Sequence, residues 1–215
     1  MIYFEHPKFE LNMDKLCRRL RIDKDNESNE SIRKQLPALR KIAEENTELK
    51  ILYLEGDGYF KTGIEDVDRC EKQLVCLCYT TEKILDLING MMADGDFFEA
   101  YIINDMANEA LFNASNRMNE HIFQKMKEEG RNLTEKYSPG EDGIPLEYQK
   151  DYLDLLLAET DLEVTINKSY MLIPEKTMMY TYGADTTNPE ISVAHDCRKC
   201  SKTDCYFREI DLVTV

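Results

Sequence analysis

Two stretches of this chain decide its fold: Lys136-Tyr137-Ser138-Pro139-Gly140, continued by Gly143-Ile144-Pro145, and Ser169-Tyr170-Met171-Leu172-Ile173-Pro174, continued by Tyr180-Thr181-Tyr182-Gly183. In the first stretch, a Pro-Gly turn followed closely by another Gly and Pro fixes the backbone direction. It also lets main-chain groups come close to a ligand. The second stretch is strand-like, and its Tyr and Met side chains can face a flat organic molecule. Together they predict two sides of a small-molecule site.

Outward from these stretches, hydrophobic periodicity predicts interleaved helices and strands in one α+β domain. We expect helices over 13–22, 31–46, 82–93, 96–129 and 146–158, and strands over 50–55, 72–80, 162–173 and 176–183. Pro37 lies inside the second helix, which therefore begins either at 31 or nearer to the proline. The strand over 72–80 is apolar on both faces, which is typical of a central strand. The longest helix carries an Ala-rich apolar stripe at helical spacing.

Composition narrows the possible partners and the compartment. The 215 residues carry a net charge of −15, which disfavours nucleic acid and anionic membrane as partners. The N-terminal residues Met1–Pro7 have neither the basic nor the apolar region of a signal peptide, and no apolar run is long enough to span a membrane. We therefore expect a cytoplasmic protein.

The cysteines cluster near the end of the chain. Three of the seven form the pattern Cys197-x-x-Cys200-x4-Cys205. Thiolates at this spacing can converge on one metal, and they select zinc or an iron–sulfur cluster. The candidates for a fourth ligand are His195, Cys70, Cys76 and Cys78, or the position stays open. Two other interpretations remain: three reduced thiols without metal, and, for Cys76 and Cys78, small core residues on one face of a strand.

At these residues the chain resembles the C-terminal activation domain of vitamin B12-dependent methionine synthase. The resemblance is closer to the small stand-alone bacterial proteins built from that domain alone. Their loop reads approximately Arg-Tyr-Ser-Pro-Gly-Tyr-Gly-Asp-x-Pro-Leu, where this chain has Lys136 to Leu146. The family's Glu-Ser-hydrophobic-x-Met-x-Pro-x-x-Ser segment matches Lys168 to Thr177. The resemblance extends over nearly the whole chain.

The resemblance implies a single curved α+β domain, with helices flanking a twisted antiparallel sheet, over residues 1–185. A Cys-rich metal-binding tail over 186–215 would pack on the same domain. It also implies binding of S-adenosylmethionine, whose methyl group restores a corrinoid (cobalamin) after one-electron reduction of inactive Co(II). The chain has no corrinoid domain of its own, so the implied partner is a corrinoid-binding methyltransferase or the core of methionine synthase. An iron–sulfur cluster in the tail would suit this function because reactivation needs an electron.

Some of the family's ligand-binding residues have a counterpart in this chain, and others do not. The loop Arg that meets the ligand carboxylate falls on Lys136, which keeps the charge but loses the two-pronged guanidinium. Pro139, Gly140 and Gly143 fall in the loop that approaches the ligand. Tyr182 matches an aromatic residue that flanks it. These five residues are the predicted S-adenosylmethionine site.

Two positions depart from the family pattern. The Tyr after the first loop glycine is replaced by Glu141, and the helix Glu that engages the ligand amine falls on Phe112, with Glu109 as a possible substitute. These departures favour a first alternative, a non-catalytic scaffold for a corrinoid protein. A second alternative is an iron–sulfur or zinc redox module with a vestigial ligand groove.

Overall fold

A five-stranded antiparallel sheet organises the molecule. The computed structural model describes residues 1–22, 26–58, 61–141 and 143–191. The strands of the sheet are β1 (Ile2–Glu5), β2 (Leu49–Gly56), β3 (Lys72–Thr80), β4 (Asn132–Leu133) and β7 (Thr177–Asp185). Their order is β1-β2-β3-β7-β4, and each neighbouring pair is antiparallel. The apolar strand β3 is central, as its sequence predicts. This arrangement confirms the predicted α+β class.

Six α-helices are found in the described part of the chain. They are α1 (Met13–Arg19), α2 (Glu30–Asn46), α3 (Glu65–Asp68), α4 (Glu82–Asp94), α5 (Phe97–Glu128) and α6 (Tyr148–Leu157). Helix α2 begins at Glu30 and runs through Pro37, so the alternative that it begins near the proline is wrong. The exposed proline ring costs one backbone hydrogen bond. Burial of Leu36 and Leu39 on the opposite side of α2 offsets that loss.

The two faces of the sheet are covered by different helices. Alternate residues of β3 point to opposite sides. Leu74, Cys76 and Cys78 pack with α5, and their neighbours on the other face pack with α6. A third apolar cluster joins α1, α2 and α4 to the first half of α5. Helix α5 therefore contributes to two of the three cores.

The region over 162–173 differs from its prediction as one strand. It is a small hairpin of β5 (Thr165–Ile166) and β6 (Leu172–Ile173). The Asn167 side chain accepts hydrogen bonds from the backbone N–H of Ser169 and Met171 at 2.8 and 3.0 Å, and Tyr170 has φ 60°. This local turn chemistry reverses the chain where the apolar pattern alone suggests continuity. No helix in the described ranges is long and apolar enough to cross a membrane.

The chain after β7 remains against the sheet as far as it is described. Asn188 is buried, and its side-chain amide donates to the backbone carbonyl of Asn132 at 3.0 Å. The side-chain amide of Asn132 in turn donates to the backbone carbonyl of Asn188 at 2.8 Å. The predicted division of the chain at 185/186 stays a prediction.

Candidate functional site

The two stretches that decide the fold lie side by side. Beyond β4, the backbone N–H of Thr134 donates to the carbonyl of Gly183 at 2.8 Å. Tyr137 and Thr181 then form an antiparallel bridge, with reciprocal N–H to O distances of 3.1 and 2.8 Å. The segment before the Pro-Gly turn is thus paired along β7, and the loop begins at the edge of the sheet.

Pairing along β7 places the side chain of Lys136 over an aromatic ring. Its Nζ lies 5.1 Å from the centroid of the Tyr180 ring, within cation–π range. Tyr180 is buried. Its hydroxyl donates to Asn119 Oδ1 at 2.8 Å and lies 2.9 Å from Ser115 Oγ, and these two contacts hold the ring in place. Helix α5 therefore fixes the ring on which the exposed Lys136 rests.

Tyr182 belongs to the same face of β7. Its ring meets that of Tyr180 edge-on, with centroids 5.7 Å apart. Only 5% of Tyr182 is exposed, and burial raises the pKa of its hydroxyl. Its main contacts are thus within the core beside α5. Its predicted role in flanking a ligand stays a prediction.

The two loop glycines adopt backbone conformations that the turn itself requires. Gly140 has φ 85° and its N–H donates to the carbonyl of Ile144 at 2.9 Å. A Cβ added to Gly140 would lie 3.0 Å from Leu146 Cδ1, and Gly143 also has a left-handed φ of 81°. Pro139 is buried behind the turn. Approach of this backbone to a ligand stays a prediction.

The helix carboxylate considered as a substitute ligand is engaged elsewhere. Arg19 Nη1 donates to Glu109 Oε2 at 2.5 Å, and its Nη2 donates to Asp105 Oδ2 at 3.0 Å. All three side chains are nearly buried, at 3–11% exposure. The triad ties α1 to α5. Glu109 therefore serves a structural ion pair.

A groove of about 340 Å³ continues the same face towards the start of β7. It is lined by Leu85, Asn104, Asn108, Leu111, Phe112, Glu175, Lys176, Thr177 and Met178. Met178 lies two residues from Tyr180 on the strand, so the groove adjoins the Lys136 end of the site. Phe112, where the family carries a Glu, forms part of its apolar wall.

Lys176 is the polar residue of this groove that sequence reasoning missed. It is 8% exposed, and its Nζ donates to Asn104 Oδ1 at 2.7 Å and Asn108 Oδ1 at 2.5 Å. Burial lowers the pKa of its ammonium to about 8. The signal in the sequence was an Asn-x-x-x-Asn pair on one helix face, without any indication of what faces it.

The predicted metal ligands Cys197, Cys200 and Cys205, with His195, lie outside the described residues. Cys76 and Cys78 are fully buried under α5, and burial raises the pKa of the Cys78 thiol to about 12. Both are core residues, in agreement with the simpler prediction.

The remaining candidate for a fourth ligand is Cys70, which is buried. Its Sγ lies 3.5 Å from the side-chain nitrogen of Asn188. Over the ranges that the structure covers, no group of three or more His, Cys, Asp or Glu residues is placed to hold a metal.

Comparison with known proteins identifies a solved structure that has the same fold. No family model and no curated protein matches the sequence. Among solved structures, the crystal structure of the MetH reactivation domain bound to AdoHcy superposes with a TM-score of 0.63 at 10% sequence identity. The match covers 91% of this chain and 82% of that one. This chain has the reactivation-domain fold. The resemblance to the methionine synthase activation domain is thereby confirmed at the level of the fold.

Proposed function

We propose that this protein binds S-adenosylmethionine at the edge of its sheet and supports reductive remethylation of a corrinoid held by a partner methyltransferase. The observation that carries the proposal is the docking of the 136–145 loop on β7. It puts the Lys136 ammonium on the same face as Tyr180 and Tyr182. The solved relative in fold is bound to AdoHcy, the demethylated form of this ligand.

In this proposal, a few residues share the binding of the ligand. Lys136 is exposed, and its ammonium has donors for a ligand carboxylate while its charge rests on the Tyr180 ring. The ring is fixed by Ser115 and Asn119, so little reorganisation is needed when a ligand binds. The left-handed glycines of the loop keep its backbone free of side chains next to this cation.

In the proposed reaction, this chain binds the methyl donor and the partner protein carries the methyl acceptor. S-adenosylmethionine supplies the methyl group and leaves as S-adenosylhomocysteine, and the partner's cobalt accepts that methyl group after a one-electron reduction. The residues of this chain hold the sulfonium compound at an open sheet edge, where a second protein can reach the methyl group. A reductant supplies the electron. Cys197, Cys200 and Cys205 would hold an iron–sulfur cluster, which would supply one-electron transfer.

A partner surface is suggested at the start of α5. Phe97, Phe98 and Tyr101 are 62%, 46% and 49% exposed. The flanking Asp96 and Glu99 make the same region acidic. Exposed aromatic groups with acidic neighbours suit a partner that presents apolar and basic groups. The net charge of −15 also favours a partner with a basic surface.

The scaffold alternative rests on specific contacts. Glu109 is held by Arg19, and Phe112 is apolar, so neither provides an unpaired carboxylate for the ligand amine. A scaffold would bind the corrinoid protein without S-adenosylmethionine.

The test combines calorimetry with a transfer assay. S-adenosylmethionine and S-adenosylhomocysteine are titrated into the full chain. Methyl-labelled S-adenosylmethionine is then incubated with a Co(II) corrinoid protein and a chemical reductant. We expect saturable binding, and label on the corrinoid only when this chain is present. Absence of binding together with tight association with the corrinoid protein would establish the scaffold instead.

A further inference from the structure

Tyr137, the neighbour of Lys136 in the loop, is tied to the short helix α3. Its hydroxyl donates to Asp66 Oδ2 at 2.9 Å, and both side chains are half-buried. Burial and the Asp66 carboxylate raise the pKa of Tyr137 to about 12, so the phenol keeps its proton at neutral pH. A hydrogen bond to a charged acceptor is stronger than one between neutral groups. The bond therefore fixes one end of the loop on α3.

The segment 62–68, which contains α3, forms a compact support. The Asp68 carboxylate accepts hydrogen bonds from the backbone N–H of Thr62 at 2.7 Å, from the Thr62 hydroxyl at 2.8 Å and from the backbone N–H of Gly63 at 3.2 Å. Thr62 and Val67 are buried. These contacts hold the backbone of 62–63 against α3, so the segment is one hydrogen-bonded unit.

The same segment contacts the other end of the loop. Tyr148 is the first residue of helix α6, and its ring lies so close to Gly63 that a Cβ added there would be 2.7 Å from ring atoms. One turn later, the Tyr152 hydroxyl donates to the carbonyl of Thr62 at 2.8 Å. The segment 62–68 therefore holds the loop at both of its ends.

Lys136 and Tyr137 make contacts on opposite faces of the sheet. Lys136 lies over the ring of Tyr180, which belongs to the face covered by α5. Tyr137 bridges Thr181, the next residue of β7, whose side chain points to the other face. Because Lys136 directly precedes this anchored residue, the bond from Tyr137 to Asp66 restricts the backbone from which Lys136 projects.

We propose that Asp66 is a positioning residue of the ligand site, and that it acts through Tyr137 to hold the Lys136 ammonium where the carboxylate of an S-adenosyl ligand binds. The identity of the ligand rests on the proposed function, whereas the placement of Lys136 is independent of it. A cation that is already in place needs little reorganisation when the ligand binds. Without the Tyr137–Asp66 bond, Lys136 keeps its charge but loses its fixed position over the Tyr180 ring.

Proton NMR of the unliganded full chain measures the placement of Lys136. Protons above an aromatic ring are shifted upfield by the ring current, so the terminal methylene protons of Lys136, assigned by their loss in Lys136→Met, should carry such a shift from Tyr180. We expect Tyr137→Phe and Asp66→Ala to move this signal towards that of an exposed lysine. Asp66→Asn keeps an acceptor oxygen for the phenol and should keep most of the shift. Arg69→Gln is the control, because it removes the exposed ion pair of Asp66 and leaves Tyr137 in place.

Calorimetry with AdoHcy on the same variants measures the consequence for binding. We expect Tyr137→Phe and Asp66→Ala to lower the affinity by roughly three- to tenfold, as for a weakened hydrogen bond to a charged group. In the Lys136→Met background, the same two substitutions should have no effect, because no cation remains to be placed. A general loss of folding would lower binding in both backgrounds.

The two measurements have separate outcomes. Absence of AdoHcy binding to the wild type overturns the proposed function, and the NMR signal then decides alone whether Asp66 places Lys136. The inference is overturned if the Lys136 signal is the same in the wild type, Tyr137→Phe and Asp66→Ala. It is also overturned if a wild type that binds AdoHcy keeps its full affinity in both variants.

Discussion

The Nζ atom of Lys136 lies 5.1 Å from the centroid of the Tyr180 ring, so a loop cation and a strand aromatic meet at the edge of the sheet. Lys136→Met keeps most of the aliphatic length and removes the charge. We expect AdoHcy affinity to fall by roughly 10- to 100-fold, the loss of a charged hydrogen bond. Lys136→Arg should restore or improve binding because the guanidinium engages a carboxylate with two parallel bonds. Calorimetry measures both, and equal affinities for all three proteins would exclude Lys136 from the site.

Tyr180→Phe tests the support beneath that cation. The substitution leaves the buried Ser115 hydroxyl and Asn119 oxygen without their shared partner. We expect the free energy of unfolding to fall by about 1–3 kcal/mol. Urea denaturation measures this change, with Tyr101→Phe on the exposed part of α5 as the control. An unchanged midpoint would show that the hydroxyl bonds contribute nothing to stability.

Lys176→Met should stabilise the protein in a pH-dependent way. The pKa of Lys176 falls from the ordinary 10.5 to about 8 on folding, because burial disfavours its charge. Between these values the unfolded chain holds more protons, so wild-type stability rises with pH from about 8 towards 10.5. At pH 7 the folded protein bears the full free-energy cost of burying the charged ammonium, about 3 kcal/mol.

The variant should therefore be more stable than the wild type at neutral pH, and the difference should shrink by about pH 10. Urea denaturation across this range checks both statements, with Lys168→Met as the exposed lysine control. A variant that is less stable at pH 7, or a difference that does not change with pH, would contradict the assignment.

Glu109→Gln separates structure from ligand binding on α5. Glu109 is bonded to Arg19 at 2.5 Å, and both side chains are largely buried. Removing one charge from a buried pair should lower the free energy of unfolding by about 3 kcal/mol. AdoHcy affinity should stay unchanged, because the carboxylate faces Arg19. Glu120 is exposed on the same helix, and Glu120→Gln serves as the control. A loss of AdoHcy binding in Glu109→Gln alone would show that Glu109 contacts the ligand.

The long elements of this fold could be predicted because their patterns are strong. Strand β3 is apolar over its whole centre, and α5 carries its Ala-rich stripe for many turns. The edge strand β1 and the two-residue strand β4 could not, because pairing partners decide such short elements. The hairpin between Thr165 and Ile173 also escaped prediction, because the Asn167 side chain turns the backbone locally.

The candidate site was predictable only in part. The loop from Lys136 carries its own turn signals, and the sequence predicts that it lies opposite the strand of Tyr180 and Tyr182. Lys176 was not identified, because its environment arises where β7 meets α5, some 70 residues apart in the chain. A buried lysine and an exposed one look the same in a sequence.

Calorimetric titration of the full chain with AdoHcy, alongside Lys136→Met, tests most directly whether this protein binds an S-adenosyl ligand at Lys136. We expect saturable one-site binding to the wild type and a clear loss of affinity in the variant. Absence of binding heat at millimolar ligand, with the wild-type protein shown to be folded, would contradict it.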